Sequence, residues 1–225
     1  MPSMHFILGM PRSGTTFLGR CLASHPDIAV FGESDFWGRS YLAGDAQDGY
    51  DASVVGRVAK IQQHKDWATT TGDELGCLPG LPEGVYGRLV SAALSRLKPP
   101  VHEREIYTAI TDAIRQHTGK PVVVEKCPGY VVFVRRFAHY YPQARFIAVE
   151  RDPVHFAASI RHERDRFHSP LIGALIRFSR HPFIVILMWR SYALALGRAR
   201  RLLGDRLMVV GFDALTEETE QTLRQ

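Results

Sequence analysis

The sequence predicts an α/β fold: an open, mainly parallel β-sheet of the P-loop type, flanked by helices, with a helical insertion over its active-site edge. Three observations predict it. Five short apolar runs recur along the 225 residues, each bounded by glycine, proline or charged residues, as strands covered on both faces require. Helical stretches separate most of them. The first run ends in a glycine-framed loop, GMPRSGTT at residues 9–16, the strand–turn–helix context of a phosphate cradle.

MHFILG is the first strand and residues 15–24 the first helix. DIAVFGE makes the second strand. Residues 36–120 break the alternation: two helices, at 84–97 and 103–117, lie among loops rich in Gly, Asp and Thr, with no strand signal. This stretch reads as an insertion packed over the C-terminal edge of the sheet, where such folds hold ligands, and it is expected to contribute to an acceptor pocket. Its aromatic residues Phe36, Trp37, Tyr41, Trp67 and Tyr86 either stack on an acceptor or belong to the core. KPVVVEK and ARFIAVERD are the third and fourth strands, followed by helices at 129–140 and 154–164. A long helix at 182–203 leads to the fifth strand, RLMVVGF. Residues 1–225 thus form a single domain.

Lys and Arg number 28 against 23 Asp and Glu, a net charge of +5 with a pI near 9.3. The excess suits an anionic ligand. No long Lys/Arg run or aromatic–basic interleaving is present, so no nucleic-acid partner is expected. Cys21, Cys77 and Cys127 are odd in number and widely spaced, with no zinc spacing; a reduced, cytoplasmic setting follows, with no metal site. The N-terminal apolar run lacks a basic region before it and is a strand, not a signal peptide. HPFIVILMWRSYALAL contains Arg190 and falls short of a bilayer span, so no transmembrane segment is expected. The stretch SPLIGALIRFSRHPFIVILMW carries enough apolar surface for a greasy acceptor or a homodimer contact.

In the loop, Gly9, Gly14 and Thr16 keep the register of G-x-x-x-x-G-K-[ST], but Thr15 stands where that pattern has lysine. The glycines permit turns that aim successive N–H groups at one anion, and the helix that follows adds its dipole. Arg12 supplies charge in a forked geometry, while Ser13, Thr15 and Thr16 add hydroxyl donors. In nucleoside-triphosphate enzymes the lysine bridges the transferred phosphate and an acid on another strand holds magnesium. Here the acid at a strand end is Glu150, and Arg151 follows at once. A cation there suits a second anion, so the loop is expected to hold a phosphate ester without requiring a metal.

GMPRSGTTFLGRCLASHPDIAVFGE resembles the start of the PAPS-dependent sulfotransferases, nearest the branch of tyrosylprotein and bacterial sulfotransferases. Their donor, 3′-phosphoadenosine 5′-phosphosulfate (PAPS), carries anions at two positions of its sugar. The family signature P-[RK]-S-G-T-T is matched by residues 11–16. The resemblance implies that Arg12, Ser13, Gly14, Thr15, Thr16 and Phe17 hold the 5′-phosphosulfate. A second signature, a strand ending in Arg with a Ser eight residues on, is matched by Arg151 and Ser159 and implies the 3′-phosphate site. A third, EK-x-P, is present as Glu125-Lys126-Cys127-Pro128, implying that Lys126 reaches the sulfuryl and bridging oxygens. The likeness spans residues 4–35, 121–163 and 186–215.

Steroid- and phenol-type relatives place a histidine beside that lysine; here Cys127 and Pro128 follow instead. The tyrosylprotein branch uses a glutamate after the second strand, and Glu33 stands in the matching place. A pocket partly shielded from water would raise its pKa towards the working range; the same residue otherwise caps a following helix or pairs with a basic residue. His25, in an HPD turn, reads as structural, and His162 and His168, beside Glu163 and Asp165, as a solvated charged face. The family's R-Y-E-D-L element is here GFDAL, residues 211–215, without its basic and acidic members. The expectation is therefore a sulfotransferase with Glu33, Lys126 and Arg12 as its catalytic set. PAPS is its donor, 3′,5′-adenosine bisphosphate (PAP) its product, and a hydroxyl of a carbohydrate, natural product, lipid or tyrosyl peptide its acceptor. A P-loop kinase-like phosphotransferase and a non-catalytic 3′-phosphonucleotide-binding domain are the alternatives.

Overall fold

All five expected strands form, and all pair in parallel. They are β1 (Ser3–Gly9), β2 (Ile28–Gly32), β3 (Val122–Lys126), β4 (Phe146–Glu150) and β5 (Leu207–Gly211), in the order β2-β3-β1-β4-β5. The computed structural model describes residues 3–10, 12–39, 42, 48–68, 84–161 and 181–224. Register keeps neighbouring C-terminal ends within two residues of one another: Gly32 lies opposite Lys126, Ile7 opposite Lys126, Gly9 opposite Val149, and Glu150 opposite Gly211. From β1 the chain runs to the edge strand β2, returns to β3 between the two, and then crosses to β4 on the other side of β1. β1 is therefore the switch point, where such sheets open a ligand crevice beyond the strand ends.

Side chains alternate across each strand. Phe6, Leu8, Ala29, Phe31 and Val123 enter one core, and Ile7, Val30, Val124, Val149 and Val210 the other. The second core is closed by α1 (Thr15–Ala23) through Leu18 and by α9 (Phe212–Glu217) through Leu215, with α10 (Thr219–Leu223) following it. The first core is larger. It takes α4 (Val85–Leu94), α5 (Glu103–Thr118), α6 (Val134–Tyr140) and α8 (Pro182–Leu203).

The insertion holds more helix than the two expected. A short α2 (Phe36–Arg39) follows β2, and α3 (Ala52–Ala68) packs on α4. The α3 pattern is hard to see because its buried stripe, Val55, Val58 and Gln62, ends in an amide. Gln62 is satisfied internally: it donates to the Ser34 carbonyl at 3.3 Å and accepts from the Tyr86 hydroxyl at 2.6 Å. The visible signal was Asp51, whose Oδ1 accepts from the N–H groups of Ser53 and Val54 at 2.9 and 3.0 Å and so caps the helix. Phe36, Trp37 and Tyr86 are core residues, at most 5% exposed, which decides against their stacking on an acceptor. Tyr41 and the Trp67 side chain lie outside the described residues.

The helix expected at 129–140 is split into a 3-10 segment, Pro128–Phe133, and α6. α7 (Pro153–Arg161) starts on Asp152, whose Oδ1 accepts from Val154 N–H at 2.8 Å. Among the described residues no helix is long and apolar enough to cross a membrane.

Candidate active site

The strand order lays the expected site residues along one edge of the sheet: Glu33 after β2, Lys126 at the end of β3, the glycine loop after β1, and Arg151 after β4. Phe212 follows β5 and completes the line.

The loop is shaped by left-handed backbone. Gly9 has φ 149°, Gly14 φ 86° and, unusually for a side-chain-bearing residue, Arg12 φ 65°. A Cβ on Gly9 would meet the Val149 carbonyl oxygen at 2.7 Å, and one on Gly14 would strike the Phe212 ring at 2.6 Å; neither place admits another residue without movement. Ser13 departs from its expected part as a hydroxyl donor. It is fully buried and gives its hydroxyl hydrogen to the Met10 carbonyl at 2.7 Å, closing the loop from inside. Thr15 is also buried, whereas Thr16 is partly exposed and Phe17 and Arg12 are exposed. No side chain caps α1 at Gly14, so the N–H groups of its first turn keep their capacity for an anion.

Lys126 and Glu33 form an ion pair, Nζ to Oε1 2.5 Å, and the Glu33 N–H donates to the Lys126 carbonyl at 2.8 Å. The lysine stem runs between α1 and β2 because Gly19 and Gly32 leave room: a Cβ on either would approach it within 3.7 and 3.3 Å. The ammonium side chain is 10% exposed and the carboxylate side chain 47%. Glu33 is thus not the shielded carboxyl expected from sequence; it is half-open to water and paired with a cation. It sits in a left-handed turn, with φ 50° at both Glu33 and Asp35, each costing about 1–2 kcal/mol for a residue with a side chain.

The shielded carboxyl is instead Glu125, the neighbour of Lys126. It is fully buried and accepts hydrogen bonds from the hydroxyls of Ser34, Tyr107 and, at 3.1 Å, Tyr130. Burial pushes its carboxyl up from 4.5 to about 7, against the opposing pull of those three hydroxyls. Burial also raises the Tyr107 and Tyr130 phenols and the Cys127 thiol well above their ordinary values.

Arg151 is held from three sides. Its Nη1 donates to the Arg12 carbonyl at 2.6 Å, its guanidinium carbon lies 4.1 Å from the centre of the Phe212 ring, and Trp189 Nε1 donates to its carbonyl at 3.2 Å. Its Nε is buried with no partner among the described residues. Sequence reasoning missed Phe212, seen only as part of an altered GFDAL element; an aromatic directly after a strand was the available signal. Ser159 lies on α7, partly exposed. Glu150 is paired with Arg200 at 2.9 Å. His25 is structural, its Nδ1 accepting from Asp27 N–H at 3.1 Å. His162, His168, Glu163 and Asp165 lie outside the described residues. Among the described residues no three His, Cys, Asp or Glu side chains gather into a group able to hold a metal ion.

A family model described as the sulfotransferase family matches residues 5–225. The nodulation protein NoeE of Sinorhizobium fredii is 29% identical over 161 residues, which cover 72% of this chain and 32% of NoeE; the chain spans about a third of that relative's length. Among solved structures, a sulfotransferase from Alicyclobacillus acidocaldarius aligns with all of this chain and 78% of its own, at 20% identity and a TM-score of 0.52. The sulfotransferase domain from the curacin biosynthetic pathway aligns with all of this chain and 72% of its own, at 17% identity and a TM-score of 0.62. These two share the fold, and with the match over nearly the whole length the chain belongs to the sulfotransferase family.

Proposed function

We propose that this chain transfers a sulfuryl group from PAPS to a hydroxyl acceptor, with Glu33 as general base. The observation that carries the reading is the order along the sheet edge: a carboxylate–ammonium pair on one side of the anion loop and a guanidinium on the other. A donor with two separated anionic groups fits that order. The uncapped first turn of α1 and the Arg151 guanidinium supply hydrogen-bond capacity at two positions. The loop from Arg12 to Phe17 would hold the 5′-phosphosulfate, and Arg151 with Ser159 the 3′-phosphate.

The donor supplies an activated sulfuryl group; the rest falls to this chain. Glu33 Oε1 takes the acceptor's hydroxyl proton as the oxygen bonds to sulfur. Lys126 Nζ, Arg12 and the loop N–H groups stabilise the charge that moves onto the leaving phosphate oxygen. Each such preorganised donor is typically worth about 10²–10³ in turnover. A magnesium-dependent phosphoryl transfer is disfavoured because Glu150, the acid at the β4 end, is spent on Arg200 and followed by a cation. A cytoplasmic setting belongs to the same proposal.

Calorimetry of PAP against 5′-AMP and ATP–magnesium tests it. Preference for PAP, unaffected by chelator and lost in Arg151→Ala, is expected. Preference for ATP–magnesium, or indifference to the 3′-phosphate, would overturn the proposal.

A further inference from the structure

We propose that Glu125 is a positioning residue: through Ser34, its buried carboxylate holds the left-handed turn that sets Glu33 against Lys126. This rests on the proposed role of Glu33 as base. The geometry starts from strand alternation. Glu125 and Lys126 are consecutive at the end of β3 and point to opposite faces. Lys126 runs beside Gly19 of α1, while Glu125 enters the other core beside Tyr107 of α5. The turn after β2 matches them residue for residue, with Glu33 on Lys126 and Ser34 on Glu125.

Three separate elements give Glu125 a hydroxyl each: the turn through Ser34, α5 through Tyr107 and the 3-10 segment through Tyr130. The Ser34 oxygen also accepts from Phe36 N–H at 3.3 Å, and Gln62 grips the Ser34 carbonyl. A carboxylate is a costly way to fill a core position that an apolar residue would fill. What it provides is direction. Glu33 and Asp35, on either side of Ser34, both sit at φ 50°, a conformation that persists only where the surroundings over-determine it. The Ser34–Glu125 contact is the anchor between them, buried on both sides.

The test uses Ser34→Ala, Glu33→Ala, their double variant and Glu125→Gln. Turnover is read as PAP release from PAPS, with whichever of a phenol, a sugar and a fatty alcohol the unaltered protein uses fastest. Ser34→Ala is expected to bind PAP unchanged and to keep its KM for PAPS, while kcat falls roughly 10- to 100-fold, the cost of a misplaced group. The double variant is expected to be no slower than Glu33→Ala, because a residue acting through Glu33 has nothing left to position. Glu125→Gln keeps an oxygen that accepts from Ser34 and is expected to retain most of the turnover. Undiminished kcat in Ser34→Ala, or losses that multiply in the double variant, would overturn the positioning role alone. An unaltered protein that neither binds PAP nor turns over would overturn the proposed function, and this inference with it.

Discussion

Replacing Glu125 by glutamine removes a titrating group from the interior while keeping its shape, and its effect on stability should depend on pH in a calculable way. The folded carboxyl titrates at about 7 and the unfolded one near 4.5. Between those values the folded protein holds a proton that the unfolded chain has released, so the natural protein loses stability as pH rises through that window. The cost is absent below the unfolded value and complete above the folded one. At about 1.4 kcal/mol per tenfold change in proton affinity, it reaches about 3 kcal/mol at pH 8 and less than about 1 kcal/mol at pH 5. Glutamine carries no such cost. Titratable groups shared by the two proteins, including Tyr107, Tyr130, Cys127 and Asp35 around the carboxyl, cancel in the comparison to first order. Urea unfolding at pH 5, 6, 7 and 8 should show Glu125→Gln gaining about 2 kcal/mol on the natural protein across the series, or roughly 4–8 °C in Tm. A difference that stays flat with pH, or one that shrinks as pH rises, would mean that burial does not hold this carboxyl protonated and would refute the reasoning.

Three further outcomes follow from single contacts. Gly14→Ala forces a side chain into left-handed backbone and against the Phe212 ring; a loss of roughly 1–3 kcal/mol in stability is expected by denaturant titration, together with weakened PAP binding. Phe212→Ala removes the face on which the Arg151 guanidinium lies; the contact is worth about 0.5–2 kcal/mol, so calorimetry should show PAP affinity falling roughly 2- to 30-fold while 5′-AMP binding changes little. Gly32→Ala crowds Lys126 Cε from 3.3 Å, and steady-state kinetics should show kcat lowered with the PAPS KM unchanged, since the ammonium moves but the loop does not.

The sheet was legible because buried parallel strands are written as continuous apolar runs, and VVVEK or FIAVE admits few other readings. The anion loop was legible for a related reason: its glycines are demanded locally, by φ and by the Val149 carbonyl and Phe212 ring pressing on the backbone. α3 was not, because a stripe that closes on Gln62 makes sense only once Tyr86 and the Ser34 carbonyl are seen around it. Ser13 was misjudged as a ligand-facing hydroxyl because nothing in PRSGTT distinguishes a hydroxyl turned outward from one turned back on Met10. Glu33 and Lys126 were each singled out, but their contact joins positions 93 residues apart. Glu125 was hidden in plain view beside Lys126: the partners that make it important, Ser34 and Tyr107, arrive from 91 and 18 residues away.

The backbone points to the same edge without help from any motif. Among the described residues, the three non-glycine residues with left-handed backbone are Arg12, Glu33 and Asp35. Arg12 belongs to the loop after β1 and the other two to the turn after β2. Strain of this kind is ordinarily removed by a change to glycine or asparagine, and it is kept where a side chain must project from an otherwise unfavourable place. At Arg12 the conformation turns the carbonyl to Arg151, joining the loop to the guanidinium beyond β4. At Glu33 it directs the carboxylate to Lys126 while the Glu33 N–H stays on the β3 ladder through the Lys126 carbonyl. Arg12 and Glu33 therefore each link two neighbouring strand ends. A sheet edge relaxed by glycine at those positions would keep its core and lose the fixed spacing between the carboxylate, the ammonium and the guanidinium.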